Sequence, residues 1–348
     1  MSWWVNHFSN RIREDGIYSA NFDVDYYYTL PTKQTMKRSL LTLLTFLIIL
    51  SIAKAENYSD TSSALGRWDI TVNISGKDFP SWLEVERSGS RVLVGRFVGP
   101  GGSARPISQV NLINGKLSFS IPPQWEAQSN NLNLEGTLEG DSLVGFMTLP
   151  DGRNCKFSAV HAPALIRNTK PVWDKPIQLF NGKDVKGWHA SRTTNQWIVE
   201  NGILKSPKAG SNLISDAAFN DFKLLVKFRF HEHGNSGVYL RGRYEVQITD
   251  YNKETPVKDV LGSIYGFIAP GENAGKKPGE WQTYEITLIG RMVTIVLNGK
   301  TIICNQEIPG ITGGALNSNE GTAGPIMLQG DHEPIEYGSI IITPAKSF

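Results

Sequence analysis

After about residue 56 the chain alternates apolar and polar residues in short runs, and Gly, Asn, Asp and Pro separate one run from the next. Alternation with a period of two is typical of β-strands that bury one face. Phe222 to Phe230 is a clear case, because Phe222, Val226 and Phe230 share one parity while Lys223 and Lys227 share the other. No later run has the spacing of a long amphipathic helix, so the pattern predicts an all-β protein.

The predicted strands fall into two groups that are separated by a stretch without periodicity. Residues 56–161 predict a small all-β domain, either a barrel or a sandwich, and Asn114-Gly115 is its strongest hairpin signal. Residues 162–176 contain Pro, Asn and Lys and are interpreted as a linker. Residues 177–348 hold many predicted antiparallel strands, which indicates a two-sheet jelly-roll sandwich.

The N-terminal region contains the pattern of a secretory signal at residues 36–55. Basic Met36-Lys37-Arg38 precedes the apolar run Leu40–Ile52, and the small-residue motif Ala53-Lys54-Ala55 follows it. The run is about 14 residues long, whereas a membrane-spanning helix needs about 20. We therefore expect an exported protein, periplasmic or extracellular, without a stable membrane anchor after cleavage. Residues 1–35 are interpreted as an unstructured upstream mis-start, and the alternative is a membrane-tethered protein with a short cytoplasmic tail.

Composition narrows the class of partner. The chain has a formal net charge of +2, and the part that follows the predicted signal is close to neutral. A nucleic-acid partner would call for a basic face, so none is expected. Aromatic residues make up 10% of the chain, including nine Trp, which supplies flat side chains for stacking on a ligand such as a carbohydrate.

The segment that follows the turn Gly234–Gly237 carries the candidate chemistry. If the strand runs unbroken, side chains of one parity project from one face, and most of them are polar. These residues are Tyr239, Arg241, Arg243, Glu245 and Gln247. Gly242 is a candidate bulge that would reset the parity before Glu245. The alternatives are a solvated outer face and a plain salt bridge between Glu245 and Arg241 or Arg243.

The second predicted domain resembles the 3-keto-disaccharide hydrolase domain family, formerly a domain of unknown function, over about residues 172–344. The resemblance rests on ordered motifs, namely Phe180–Asp184 with Gly187-Trp188, Trp197 with Glu200–Leu204, Asn235–Arg241, Tyr244–Gln247, Gly279–Gln282, Leu297–Gly299, and Gly324–Gln329 with His332. It implies a concanavalin-like lectin/glucanase fold and an enzyme that cleaves glycosides oxidised to a ketone at C3 of the sugar.

The chemistry that this resemblance implies is proton abstraction at C2, elimination of the C1 leaving group and addition of water. It needs a base, a group that holds the enolate oxygen and an acid. Glu245 is the candidate base, Arg241 the oxyanion partner and His332 the acid. The candidate substrate-binding residues are Asn235, Tyr239, Gln247, Tyr265, Trp281 and Gln329. For Tyr265 and Trp281, a place in the hydrophobic core is the alternative to stacking on a sugar.

Two further hypotheses stay open at this point. His231 and His233 are weak candidate ligands for a divalent metal such as Zn²⁺ or Mn²⁺, and the alternative is a pair of solvent-facing loop histidines. A non-catalytic, lectin-like carbohydrate-binding module is the alternative to an enzyme, because sandwich folds of this kind host both functions.

The signal-peptide interpretation predicts a mature N-terminus near Glu56. N-terminal sequencing of the exported protein checks this expectation, and retention of residues 1–35 in that protein would contradict it.

Overall fold

A computed structural model of the chain describes residues 61–250 and 257–346, and nearly all of its regular structure is β-strand. A single helical turn, α1 (Thr61–Ala64), precedes the first strand. In the part of the chain that the structure describes, no helix is both long and apolar enough to cross a membrane. The predicted signal at residues 36–55 lies outside the described residues.

The first group of strands forms a closed barrel, one of the two predicted alternatives. Each strand pairs antiparallel with the next, and the last returns to pair with the first. The strands are β1 (Gly66–Ile74), β2 (Lys77–Ser88), β3 (Val92–Val98), β4 (Arg105–Ile113), β5 (Lys116–Ile121), β6 (Leu132–Glu139), β7 (Ser142–Thr148) and β8 (Asn154–His161). Apolar side chains at alternate positions fill the interior of the barrel. Closure leaves the meander without an unpaired edge.

The predicted hairpin turn at Asn114-Gly115 is confirmed. It joins β4 to β5, and Ile113 pairs with Lys116 across it. Both turn residues have positive φ, 51° at Asn114 and 75° at Gly115. This is the left-handed conformation that a two-residue hairpin requires and that Asn and Gly adopt most readily.

The second group of strands forms a sandwich of two antiparallel sheets. The strands are β9 (Ile177–Gln178), β10 (Trp188–Ala190), β11 (Ile198–Glu200), β12 (Ile203–Ser206), β13 (Leu213–Phe219), β14 (Phe222–Phe230), β15 (Asn235–Leu240), β16 (Tyr244–Thr249), β17 (Gln282–Ile289), β18 (Met292–Leu297), β19 (Lys300–Glu307), β20 (Gly324–Leu328) and β21 (Ile335–Pro344). One sheet has the order β10-β13-β20-β15-β16, and the other has the order β11-β12-β21-β14-β17-β18-β19, with β9 paired to β21.

The core of the sandwich contains the alternating residues of β14. Phe222, Val226 and Phe230 are buried there with the inward residues of the five-stranded sheet, such as Val238 and Val246. The other face of the five-stranded sheet carries Tyr239, so this sheet separates the core from the site described below.

The segment that was predicted as one unbroken strand is a hairpin, β15–β16. Arg241 and Gly242 form its turn with φ of 53° and 65°, so the chain reverses where the sequence suggested continuation. Tyr239 lies directly opposite Glu245, and Gly237 lies opposite Gln247. These residues share a face because they pair across the hairpin. The prediction that one unbroken strand carries them is wrong.

The barrel and the sandwich pack against each other within one compact unit. Trp82 of the barrel is fully buried in the apolar cluster of the sandwich, where its ring meets Phe267 edge-on at 5.4 Å. Gly310 lies so close to the Trp82 ring that a β-carbon there would overlap it. Thr71 and Ser318 exchange a hydrogen bond of 3.3 Å across the same junction. The barrel is therefore docked through apolar packing together with polar contacts.

We expect Trp82→Ala to lower the free energy of unfolding by about 3–5 kcal/mol, because it empties a buried aromatic position at the junction. Urea unfolding followed by circular dichroism measures the loss. Phe146→Ala, at an aromatic residue of the same barrel that is 47% exposed, is the matched control and should change little. Equal losses for the two variants would contradict a structural role for the junction.

Candidate functional site

A cavity of about 900 Å³ opens between the barrel and the outer face of the five-stranded sheet. This volume lies within the range of about 300–1,000 Å³ that is typical of small-molecule sites. The sandwich side is lined mainly by polar and titratable side chains, namely Asn212, Asn235, Tyr239, Glu245, Gln247, Lys258, Asp259, Tyr265, Gln329, Asp331 and His332. The barrel side is formed by Pro100–Ala104 with Gln124 and Trp125.

Glu245 is the buried acid of the cavity. It is 3% exposed, and its Oε2 lies 2.9 Å from the hydroxyl of Tyr239 on the neighbouring strand. Burial penalises the charged carboxylate and raises the pKa of Glu245 from its ordinary value of 4.5 to about 8, although the Tyr239 hydrogen bond and the charge of His332 oppose the rise. The carboxyl group is therefore largely protonated at neutral pH.

The Tyr239 hydroxyl has two acceptors within reach. It lies 2.9 Å from Glu245 and also 2.9 Å from the carbonyl oxygen of Gly313, but it has a single proton to donate. Donation to Glu245 stabilises the charged carboxylate, which is why this hydrogen bond opposes the rise in the pKa of Glu245. Tyr239 therefore ties the acid to the segment that carries Gly313.

A glycine gives the carboxyl group its place over the sheet. A β-carbon at Gly237 would overlap the Oε1 atom of Glu245, so any side chain there would displace the acid. Strand β16 is held from the other side by the hydroxyl of Thr312, which accepts the backbone N–H of Glu245 at 3.0 Å. These contacts fix the position of the carboxyl group in the absence of a ligand.

His332 supplies a titratable cation at the same cavity. Its Nδ1 lies 2.7 Å from the Oδ1 atom of Asp331, and its side chain is 46% exposed. The hydrogen bond with Asp331 raises the pKa of His332 above its ordinary value, and partial burial opposes this rise. The imidazolium therefore persists to higher pH than that of an isolated histidine.

Three side-chain amides add hydrogen-bonding capacity. Gln247 donates to the Oδ1 atom of Asn235 at 3.2 Å, so each amide orients the other. Gln329 is 8% exposed, and its Oε1 is buried without a hydrogen-bond partner among the described residues. A buried acceptor of this kind is costly to leave unpaired, so it favours a ligand that brings hydroxyl groups.

Residues 175–343 match the model of a known family, the 3-keto-alpha-glucoside-1,2-lyase-like domain. This part of the chain belongs to that family. A curated 3-keto-disaccharide hydrolase of Bacteroides thetaiotaomicron is 28% identical to this part over an alignment of 104 residues, and the match covers 26% of this chain. The chain covers 34% of that relative, about a third of its length. The predicted resemblance is thus confirmed.

Solved structures with similar folds include two from Parabacteroides distasonis that are described as putative glycosyl hydrolases. One is 32% identical and covers 48% of this chain and 82% of its own, with a TM-score of 0.41. The other is 24% identical and covers 50% of this chain and 100% of its own, with a TM-score of 0.39.

The family domain brings most of the predicted site residues into the cavity. Glu245, His332, Asn235, Tyr239, Gln247, Tyr265 and Gln329 all line it. Arg241 does not. Its guanidinium group donates to the carbonyl of Asn220 at 2.6 Å and to the carboxylate of Asp221 at 2.8 Å, and it is 1% exposed. The predicted role of Arg241 at a substrate oxyanion is therefore wrong, because the side chain is buried in an ion pair elsewhere.

Trp281 is the second predicted residue of the family domain that lies away from the cavity. Its ring packs against two cations of the larger sheet, Lys227 at 5.1 Å and Arg229 at 4.7 Å from the ring centre. These residues belong to β14, in the sheet that does not face the cavity. Stacking of Trp281 on the substrate of this cavity is therefore not supported by its position, and a structural cation–π contact replaces it.

The candidate metal ligands are also apart from the cavity. His231 is exposed and the side chain of His233 is 97% exposed, with its Nδ1 4.0 Å from Asp250. Across residues 61–250 and 257–346, no group of three or more His, Cys, Asp or Glu side chains has the arrangement of a metal site. The solvent-facing alternative describes these two histidines.

Several lining residues of the cavity escaped the sequence analysis. Lys258, Asp259 and Asp331 come from connecting segments of the family domain, and Trp125 comes from the barrel. A tryptophan after Pro122-Pro123 in a polar connection was a usable signal, because an exposed aromatic residue in a loop suggests binding. Its proximity to Glu245 depends on the docking of two domains, which no local pattern reveals.

We expect Glu245→Gln to change stability in a pH-dependent way. The folded-state pKa of about 8 exceeds the ordinary 4.5, so the native protein retains a proton that the unfolded chain has lost between these values. The associated stability is present at low pH and is lost as pH rises through about 8. Thermal unfolding at about pH 5 and about pH 9 should therefore show the variant gaining on wild type at the higher pH.

An equal difference in Tm at both pH values would contradict the raised pKa of Glu245. Glu285→Gln, at an exposed carboxylate of β17 that does not line the cavity, is the matched control.

Proposed function

We propose that the chain cleaves glycosidic bonds in sugars oxidised to a ketone at C3, within the wider class of carbohydrate-active hydrolases and lyases. The observation that carries the proposal is the buried carboxyl group of Glu245, which shares its cavity with the cationic His332. The lining around this pair is polar, and the unpaired oxygen of Gln329 can accept a hydrogen bond from a sugar hydroxyl. The names of the family and of the curated relative support the same substrate class.

In the first step, Glu245 acts as the base. The C3 ketone acidifies the hydrogen on C2, and the carboxylate takes that proton while the electron pair moves to form the enolate. A carboxylate with a pKa near 8 is a stronger base than an ordinary one, so its strength is better matched to a carbon acid. Gly237 and Tyr239 hold it in place before the substrate arrives.

The second step breaks the bond between C1 and the leaving oxygen. The enolate collapses to a C1–C2 double bond and restores the C3 ketone, and His332 donates a proton to the departing oxygen to give an alcohol. Lys258 is a second cation at the cavity and takes the role at the enolate oxygen that was predicted for Arg241. Addition of water across C1 and C2 then gives the free 3-keto-sugar.

This sequence of steps explains why the two related names differ. Elimination alone is a lyase reaction, as in the description of the family, whereas elimination followed by hydration is a net hydrolysis, as in the name of the curated relative. We propose both steps for this chain.

A lectin-like function is the second candidate. It would use the same amides and aromatic residues and leave the raised pKa of Glu245 without a role. The unusual burial of an acid in the polar cavity favours catalysis, since perturbed acids cluster at active sites.

We expect Glu245→Gln to lower kcat on methyl 3-keto-α-glucoside by about 10²–10⁴-fold or more, because the substitution keeps the shape of the side chain but removes the base.

His332→Gln should turn over more slowly than wild type, and its residual kcat/KM should rise with pH through about 8, since Glu245 must lose its proton to act. A colorimetric assay of released sugar across pH measures both effects.

Glu285→Gln again serves as the control and should retain wild-type turnover. Wild-type turnover by Glu245→Gln would place the base elsewhere. Binding of the keto-sugar by the wild-type protein without any turnover would favour the lectin-like function.

A further inference from the structure

The barrel completes a wall of the cavity that the family domain leaves open. Pro100–Ala104 and Gln124-Trp125 line the cavity, yet all of them precede residue 175, where the family match begins. The loop Pro100–Ala104 reaches into the sandwich, where the N–H of Gly314 donates to the carbonyl of Pro100 at 3.2 Å. The barrel therefore meets the site at a defined position.

Trp125 is presented to the cavity by this wall. Its side chain is 66% exposed, although the other tryptophans of the barrel, Trp68 and Trp82, are fully buried. An aromatic ring left in solvent forgoes the stabilisation that burial would give it. At a cavity lined by polar groups, such a ring offers a flat apolar surface for a ligand.

The loop that carries Trp125 is held in its conformation by polar contacts. The carboxylate of Glu126 accepts the backbone N–H groups of Gln124 at 2.7 Å and of Trp125 at 3.1 Å. The side chain of Gln124 accepts the N–H of Ser103 at 3.0 Å, which ties the two barrel loops together. The ring is thus positioned before a ligand binds, which reduces the ordering cost of binding.

Close packing of glycine against the ring fixes its orientation. A β-carbon at Gly102 would lie 2.6 Å from the Nε1 atom of Trp125, and Gly102 itself has a φ of 81°. The absence of a side chain at this position lets the indole lie against the neighbouring loop, where it lines the cavity.

We propose that Trp125 forms a subsite for a ring in the leaving group, by stacking on the apolar face of a sugar or on an aromatic ring. The inference rests on the proposed function. In this proposal the reacting sugar lies beside Glu245 on the sheet of the family domain, and its departing group extends toward the barrel wall of the same cavity. The family domain supplies the chemistry, and the barrel selects what is released.

The test compares three substrates that differ only in the leaving group. Methyl 3-keto-α-glucoside releases no ring, 3-keto-maltose releases a sugar ring and 4-nitrophenyl 3-keto-α-glucoside releases an aromatic ring. We expect Trp125→Ala to lower kcat/KM about tenfold for a ring-bearing substrate and to leave the methyl glycoside within about twofold. Trp125→Phe should restore most of the loss, and the two ring-bearing substrates distinguish a sugar from an aromatic preference.

Phe146→Ala is the matched control, because it removes an exposed aromatic residue of the same barrel that does not line the cavity. It should leave all three rates unchanged. An equal effect of Trp125→Ala on all three substrates, or no effect on any, would overturn the subsite.

Failure of the Trp125 subsite can be distinguished from failure of the proposed function. If the wild-type protein cleaves none of the three substrates, the proposed function fails, and calorimetric binding of maltose and methyl α-glucoside then tests the subsite. Weaker binding of maltose alone by Trp125→Ala supports it. Equal binding by the variant and the wild type, or no binding of maltose by the wild type, overturns it.

Discussion

The hydrogen bond between Tyr239 and Glu245 is the interaction on which the rest of the site depends. It joins two strands of a hairpin on the face turned away from the core, at 2.9 Å. The same hydroxyl meets Gly313, whose α-carbon lies against the carbonyl of Gly102 in the barrel. A continuous series of contacts therefore runs from the barrel loop to the buried acid, and a side chain at Gly313 would interrupt it.

Two titratable groups of the cavity experience opposite environments. Glu245 is enclosed and its carboxylate is disfavoured by burial, whereas His332 is half-exposed and its cation is favoured by Asp331. Burial thus favours the protonated form of Glu245, and Asp331 favours the protonated form of His332. The positions of Gly237 and Thr312 keep this arrangement in place without a ligand.

Local patterns predicted the face but not the path of the chain. Alternation placed Tyr239, Glu245 and Gln247 together, and the hairpin register does the same by a different route. Arg241 was misplaced because it lies in a turn with positive φ, which removes it from that face. Arg rarely adopts positive φ, so the residue type gives no signal for such a turn. Trp281 was misplaced because both sheets carry polar outer faces, and which one meets the barrel is decided by tertiary packing of Trp82 and Gly310.

The split of the cavity between two lobes has an evolutionary consequence. Substitutions in the connection that bears Trp125 alter the cavity wall without changing any residue of the family match, which begins at residue 175. Under the proposed function, changes in the barrel connections during evolution can alter which leaving group is accepted, while Glu245, Tyr239 and Gly237 stay unchanged.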